Sequence, residues 1–375
     1  MSALREKIEE EIRARGPIPF SRYMELCLYD AEFGYYSRSA MQFGKAGDFY
    51  TSSDVHAVFG RLVARQFEEM WRALGSPASI VVKELGPGRG LFAQDVLDWS
   101  EKKFPDFFCA LKYVLDECSP ALRRRIEGTL GRHLESGKAL LSGSSAGTPT
   151  ILFANEFFDA LPVEILSPAG SLRIDARDGR FSETWAQVSP EELEFLDRYS
   201  IHPEEGERVE VPLQAQTFMS AAARFDRGFA VVIDYGYTRD EQLAGRHRGT
   251  LKAIRQHSVS ANAYEAPGEQ DITADVNFTA LAAGVERYGF QAQKLVTQSQ
   301  FLLGIGEANE FADAFEDCRL SQERAKVALQ LKHLVTPAGM GESFQVLVAS
   351  KGIEPEKVSA LAGLGFGART IEKRT

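Results

Sequence analysis

Residues 79–98, Ser79-Ile80-Val81-Val82-Lys83-Glu84-Leu85-Gly86-Pro87-Gly88-Arg89-Gly90-Leu91-Phe92-Ala93-Gln94-Asp95-Val96-Leu97-Asp98, decide the fold. A short apolar run, Ile80 to Leu85, meets a glycine turn, and a helix-like stretch follows. This opens an alternating strand–helix pattern, which folds as a parallel sheet covered by helices. Glycine lets the backbone turn tightly and lets a ligand approach without a side-chain clash. The helix N-terminus behind the turn offers free amides. The spacing is G-x-G-x-G, with Leu91 where a dinucleotide fingerprint has glycine. The turn therefore suits a nucleoside without a pyrophosphate better than it suits NAD. A tight strand–helix turn with no ligand is the bland alternative.

Further strands follow the same pattern. The second is KYVLDEC, ahead of a helix from SPALRRRIEGTL; the third is the short KALLSG; the fourth is TPTILFANEFF; the fifth is GFAVVIDYG. Four of the five end at a polar or glycine residue, as ligand sites at strand carboxyl ends require. Between strands four and five, LRIDARDGRFSETWAQV carries Asp-Gly between alternating segments and reads as a hairpin. SPEELEFLDRY opens with a capping pattern and reads as a helix. Residues 236–272 read as a loop-rich stretch, and DVNFTALAAGVERYG and SFQVLVAS as the closing helix and strand.

Upstream of the turn, the chain opens with an amphipathic helix ending at Gly16-Pro17, followed by a segment rich in aromatics and glycines. Ser53 or Asp54 then caps a helix through VFGRLVARQFEEMWRALG. The expected organisation is an N-terminal helical and aromatic cap (1–60), the first part of an α/β core (61–164), an inserted hairpin and helix (165–225), and the remainder of the core with substrate-side loops (226–375).

Composition narrows the classes. The 53 acidic residues outnumber the 43 basic ones, a net charge of -10, which opposes a nucleic-acid partner. Cys27, Cys109, Cys118 and Cys318 form no C-x-x-C pair, and histidines number only six. Neither a metal site nor a disulfide framework is expected, and the cysteines read as packing thiols in a reducing compartment. No apolar stretch approaches the roughly 20 residues that span a bilayer. The opening MSALREKIEEEIRARG mixes acids with bases, unlike a signal or transit peptide, so a cytoplasmic protein is expected.

Two further motifs carry chemistry. Glu117 ends the second strand, where a carboxylate can accept two hydrogen bonds from a ribose diol. Neighbouring Asp116 competes for that role, and strand alternation lets only one of the two face the site. After the fourth strand comes Asn155-Glu156-Phe157-Phe158-Asp159-Ala160-Leu161-Pro162. Buried carboxylates need partners, or their pKa rises, and a cationic ligand is such a partner. The alternative is that Asp159 caps a helix and the phenylalanines are core.

With these blocks in view, the chain resembles the MidA-like family of methyltransferases. The matching segments are GPIPFSRYMELCLYDAEFGYY, GDFYTSSDVHAVFG, ELGPGRG, ECSPALR, ANEFFDALPVE, VVIDYGY, GTLKAIRQH, PGEQDITADVNFTAL, TQSQFLLGIG and MGESFQVL. They span about residues 5–350. The family form more often has a tyrosine near Ile254 and a proline at Ser53.

The resemblance implies a Rossmann-like class I methyltransferase sheet, with the N-terminal extension and the insertion between strands four and five set on it. It implies S-adenosyl-L-methionine as cofactor, with Gly86, Gly88 and Gly90 matching the donor turn and Glu117 its ribose acid. It also implies a protein arginine as acceptor, on a respiratory complex I subunit in the mitochondrial members. Asp48, Thr51 and Asn155 join the donor-binding candidates. Glu156 is the candidate that grips the guanidinium and helps remove its proton, with Asp159 in support, Asp234 as a second candidate and His257 as a relay. Phe33, Tyr35, Tyr36, Phe49 and Tyr50 either cover the donor, clamp the acceptor, or pack as a lid. Competing readings are a non-catalytic assembly module, an NAD-dependent oxidoreductase, and a nitrogen methyltransferase acting on a small molecule or nucleic acid.

Overall fold

The computed structural model describes residues 2–37, 57–143, 145–177, 179–255, 258–260, 262–337 and 339–366. The chain forms two compact units, each drawn from three stretches: 1–49, 156–221 and 235–284 in the first, 50–155, 222–234 and 285–375 in the second.

The second unit carries the main sheet. Its strands are β1 (Ile80–Leu85), β2 (Leu111–Asp116), β3 (Ala139–Leu140), β4 (Thr150–Asn155), β5 (Gly228–Tyr237), β6 (Gln291–Ala292) and β7 (Phe344–Lys351). The last three residues of β5 belong to the first unit. The order is β3-β2-β1-β4-β5-β7-β6, with β1 to β5 paired in parallel and β6 antiparallel to β7. This is the Rossmann-like α/β sheet expected from the sequence. Parallel strands are covered on both faces, which is why β4 and β5 read as apolar runs, Ile151 to Ala154 and Phe229 to Ile233. The strand order reverses at β1, which lies between β2 and β4. Open α/β sheets bind ligands at such a reversal, beyond the strand carboxyl ends.

Two helices pack on the sheet through β4. The helix Ala57–Ala73 buries Val58, Phe59, Leu62, Val63, Phe67 and Met70 on one stripe. The helix Leu91–Lys103 buries Phe92, Ala93, Val96 and Leu97. Phe92 stacks on Phe153 of β4 at 4.5 Å between ring centroids, and Phe67 meets the same ring edge-on at 5.4 Å. Burying each of these rings contributes about 1.5–3 kcal/mol, so the helix that follows the glycine turn is held firmly to the sheet.

The first unit is built on an antiparallel sheet. Its strands run Ile18–Pro19, Gly170–Arg177, Glu164–Ser167 and Val209–Val211, with Arg180–Ala186 paired to Gly170–Arg177. The last pairing is the hairpin read from Asp-Gly, with Arg177 opposite Arg180 and Gly179 at φ 70°. The helix Pro190–Tyr199 starts with a capping box between Ser189 and Glu192, worth about 1 kcal/mol. The N-terminal helix Ala3–Arg15 buries Leu4, Ile8 and Ile12, spaced by four, in one core with Tyr23, Met24, Leu172 and Ile174. Thus the N-terminal segment, the hairpin–helix segment and the stretch after β5 share a unit.

Two expectations are corrected. Residues 236–272, read as loop-rich, hold the helix Arg239–Leu243 and part of a three-stranded sheet, Lys252–Arg255, Ser258–Ser260 and Asp271–Thr273. Strands this short carry too few alternations to stand out. The cysteines are free but not uniformly packed: Cys27 is buried, Cys109 and Cys118 are exposed, and Cys318 is intermediate. Cys109 and Cys118 lie two residues outside the two ends of β2. Among the described residues, no helix is long and apolar enough to cross a membrane.

Candidate active site

The glycine turn grows directly out of β1. Gly86, Gly88 and Gly90 take φ of 60°, 56° and 76°, a region that disfavours any residue with a Cβ. The Gly86 N–H donates to the Asp116 carbonyl of β2 at 3.1 Å, which ties the turn to the neighbouring strand. The Gly90 carbonyl accepts from Gln94 at 3.0 Å and starts the next helix. A Cβ built on Gly88 meets no described atom within 4 Å. The backbone at Gly88 therefore borders open space, which is what close approach by a ligand requires. Gly90 differs: its Cβ would touch Ile126 and Leu130 at 3.4–3.5 Å, so its glycine answers to backbone angle more than to space.

Glu117 and Asp116 point apart. Asp116 keeps 47% of its side chain exposed and pairs with Lys83 at 2.9 Å. Glu117 is buried, with 6% exposure. Its Oε1 accepts the Ser119 N–H at 2.8 Å, and the backbone amides of Cys118 and Gly88 lie near enough to favour its charged form. Desolvation nonetheless raises its pKa above the usual carboxylate value. The Arg123 Nε donates to the Glu117 carbonyl at 2.6 Å and fixes the backbone there. Glu117, not Asp116, thus lies against the turn.

Glu84 joins this group, although the sequence reading assigned it no role within the run that leads into the turn. It is 4% exposed, and Tyr113 of β2 donates its hydroxyl to Glu84 Oε2 at 2.8 Å. Burial, with the Glu117 carboxylate nearby, pushes its pKa up to about 8. The available signal was an acid inside an apolar strand two residues before the turn. Asn155 ends β4 opposite Ile233 of β5, and Asp234 follows Ile233, fully buried.

The other acids belong to the first unit. Glu156 adopts φ 50°, uncommon for a residue other than glycine and often associated with functional strain. Asp159 is half-buried, and desolvation raises its pKa well above the carboxylate range, with the Asp275 charge adding to the rise. No helix follows Asp159; its carbonyl accepts the Ala274 N–H at 2.9 Å instead. Phe158 is core, 3% exposed, in a cluster with Phe157 and Phe218.

Aromatic side chains of the same unit contact a further acid and the backbone after Asp159. The Tyr36 hydroxyl lies 3.1 Å from each carboxylate oxygen of Asp271, and Tyr36 stacks on Tyr29 at 5.5 Å. Tyr29 donates to the Ala160 carbonyl at 2.9 Å. Asp275 takes Lys252 at 3.0 Å and His247 at 3.1 Å. Tyr35 is buried and Phe33 packs at the edge of that core. Asp48, Phe49, Tyr50, Thr51 and His257 lie outside the described residues. Among the described residues, no group of three or more His, Cys, Asp or Glu is arranged to hold a metal.

Residues 62–296 match the profile of a family of S-adenosyl-L-methionine-dependent methyltransferases. The chain is 28% identical to the mitochondrial protein arginine methyltransferase NDUFAF7 homolog of Drosophila melanogaster, over 97% of this chain and 88% of that protein. It is 29% identical to mitochondrial protein arginine methyltransferase NDUFAF7 of Danio rerio, over 90% of this chain and 84% of that one. A Burkholderia thailandensis protein solved with S-adenosyl-homocysteine superposes with a TM-score of 0.82 at 28% identity, covering 96% of this chain and 94% of that one.

Proposed function

The chain belongs to the family of S-adenosyl-L-methionine-dependent methyltransferases, and from that premise we propose that it methylates an arginine nitrogen of a protein, on a respiratory complex I subunit. The observation that carries the acceptor class is the chain-long likeness to relatives named protein arginine methyltransferases. An acidic, aromatic first unit suits such a cation.

In this reading the donor lies along the turn Gly86–Gly90, with Glu117 at the ribose; Asn155, Asp48 and Thr51 are further candidates for binding it. The open space at Gly88 and the buried Glu117 carboxylate fit a nucleoside there. The donor supplies an activated methyl group and its own leaving group. The protein's part is to hold the acceptor nitrogen in line, about 3–3.5 Å from that methyl. Arginine stays protonated near neutral pH, so a carboxylate must orient the guanidinium and accept a proton as the carbon–nitrogen bond forms. Glu156 takes that role, with Asp159 supporting it. Asp234 is the second candidate, and His257 passes the proton outward. The products are the demethylated donor, a methylated arginine and one proton.

Donor-label transfer tests the acceptor. Purified protein and labelled donor are added to a lysate of cells lacking the protein, and the labelled band is sequenced by mass spectrometry. A methylated arginine in a complex I subunit is the expected product. Label on a small molecule, on nucleic acid or on another side chain contradicts the proposal.

A further inference from the structure

Tyr113, Glu84 and Glu117 lie on one face of the β1–β2 pair. Parallel register sets Val82 beside Tyr113 and Glu84 beside Leu115, so Glu84 stands between Tyr113 and Glu117 along that face. Lys83 and Asp116 take the opposite face and pair with each other. The β4 neighbour in register with Glu84 is the apolar Phe153. Among the described residues, Tyr113 and Glu117 are the titratable groups that act on Glu84, and neither brings a positive charge. Arg123 acts on Glu117, and Asp95 on the following helix is set against Arg61 and Asp98.

A carboxyl group this enclosed, facing a second carboxylate and helped by a single hydroxyl, is more stable neutral than charged. S-adenosyl-L-methionine is a cation, carrying a sulfonium and an ammonium against one carboxylate. Its arrival would supply the positive charge that the cluster lacks. Resting on the donor reading above, we propose that Glu84 gives up a proton when the donor binds, and that Tyr113 is the positioning residue that sets the pH at which it does so. The bond from Tyr113 favours the ionised acid, because the hydroxyl donates to a carboxylate oxygen. The Glu84 O–H bond breaks, its electron pair stays on the carboxylate, and the proton passes to solvent, so charge and atoms balance without a further reactant.

Isothermal titration of the intact protein with S-adenosyl-L-methionine, in buffers of different ionisation enthalpy, counts the protons released. The wild type at pH 7 should release close to one proton more per donor than Glu84→Gln; the donor's own amine contributes alike to both. Relative to Glu84→Gln, wild-type Kd should tighten by up to about tenfold per pH unit below pH 7.5 and level off above about pH 8. In Tyr113→Phe the levelling-off should move to higher pH, an effect that mere loosening of the sheet would not produce. Equal proton counts and parallel pH profiles for wild type and Glu84→Gln overturn the inference and leave the donor reading intact. Absence of donor binding by the wild type removes both.

Discussion

The backbone N–H of Gly86 donates to the Asp116 carbonyl at 3.1 Å, joining the turn after β1 to the end of β2, one residue before Glu117. Two strands that are neighbours in the sheet thereby present one continuous polar edge, at the place where the strand order reverses. The donor site proposed for this chain is that edge.

Gly88→Val should abolish donor binding. A branched side chain would project into the open space beside the turn and is disfavoured at φ 56°. Backbone strain of about 1–2 kcal/mol would lower stability without unfolding the protein. Titration with S-adenosyl-homocysteine should show Kd weakened at least 100-fold, while the thermal midpoint falls by only a few degrees.

Glu117→Ala and Asp116→Ala should separate. Removing the buried carboxylate proposed to accept the ribose hydrogen bonds is expected to weaken donor binding by about 10–100-fold, or about 1.4–2.8 kcal/mol. Asp116 is half-exposed and pairs with Lys83 on the opposite face, so its loss should change Kd by less than about twofold. Equal effects from the two variants would show that the buried acid holds no part of the donor.

Glu156→Gln should keep donor affinity and lower methyl transfer by at least about 100-fold, the range of a general acid–base contribution. Single-turnover kinetics with labelled donor, alongside the binding titration, measures both. Normal turnover in the variant would remove Glu156 from the mechanism.

The fold's main sheet was legible because its signals are local. The glycine spacing at 86–90, the apolar runs of β1, β4 and β5, and the Asp-Gly hairpin each fit within a few residues. Alternation limited the choice between Asp116 and Glu117 without making it, since what decides is the neighbour each face meets: Lys83 for one, the turn for the other. The Tyr113–Glu84 bond was hidden for the same reason. It depends on the register of two strands 29 residues apart, which neither strand encodes alone. Nor does any local pattern reveal that three separate stretches, from the N-terminus, the insertion and the segment after β5, fold into a single unit.

The ligand-free protein should lose stability as pH rises through the range where Glu84 ionises. Its folded pKa of about 8 lies above the unfolded value of 4.5, so the folded state keeps a proton that the unfolded chain releases. That contribution is complete below about pH 4.5 and is lost as pH rises through about 8. Urea unfolding of wild type and Glu84→Gln between pH 5 and 9 should show the wild type falling relative to the variant, by about 1–4 kcal/mol in total. A constant difference across that range would mean that Glu84 titrates as an ordinary surface acid.

The most direct check is a crystal of the protein grown with S-adenosyl-homocysteine. The adenosine should lie along Gly86–Gly90, with its ribose hydroxyls on the Glu117 carboxylate. Adenosine bound elsewhere, or side chains filling the space beside Gly88 in a crystal that holds no ligand, would contradict the assignment.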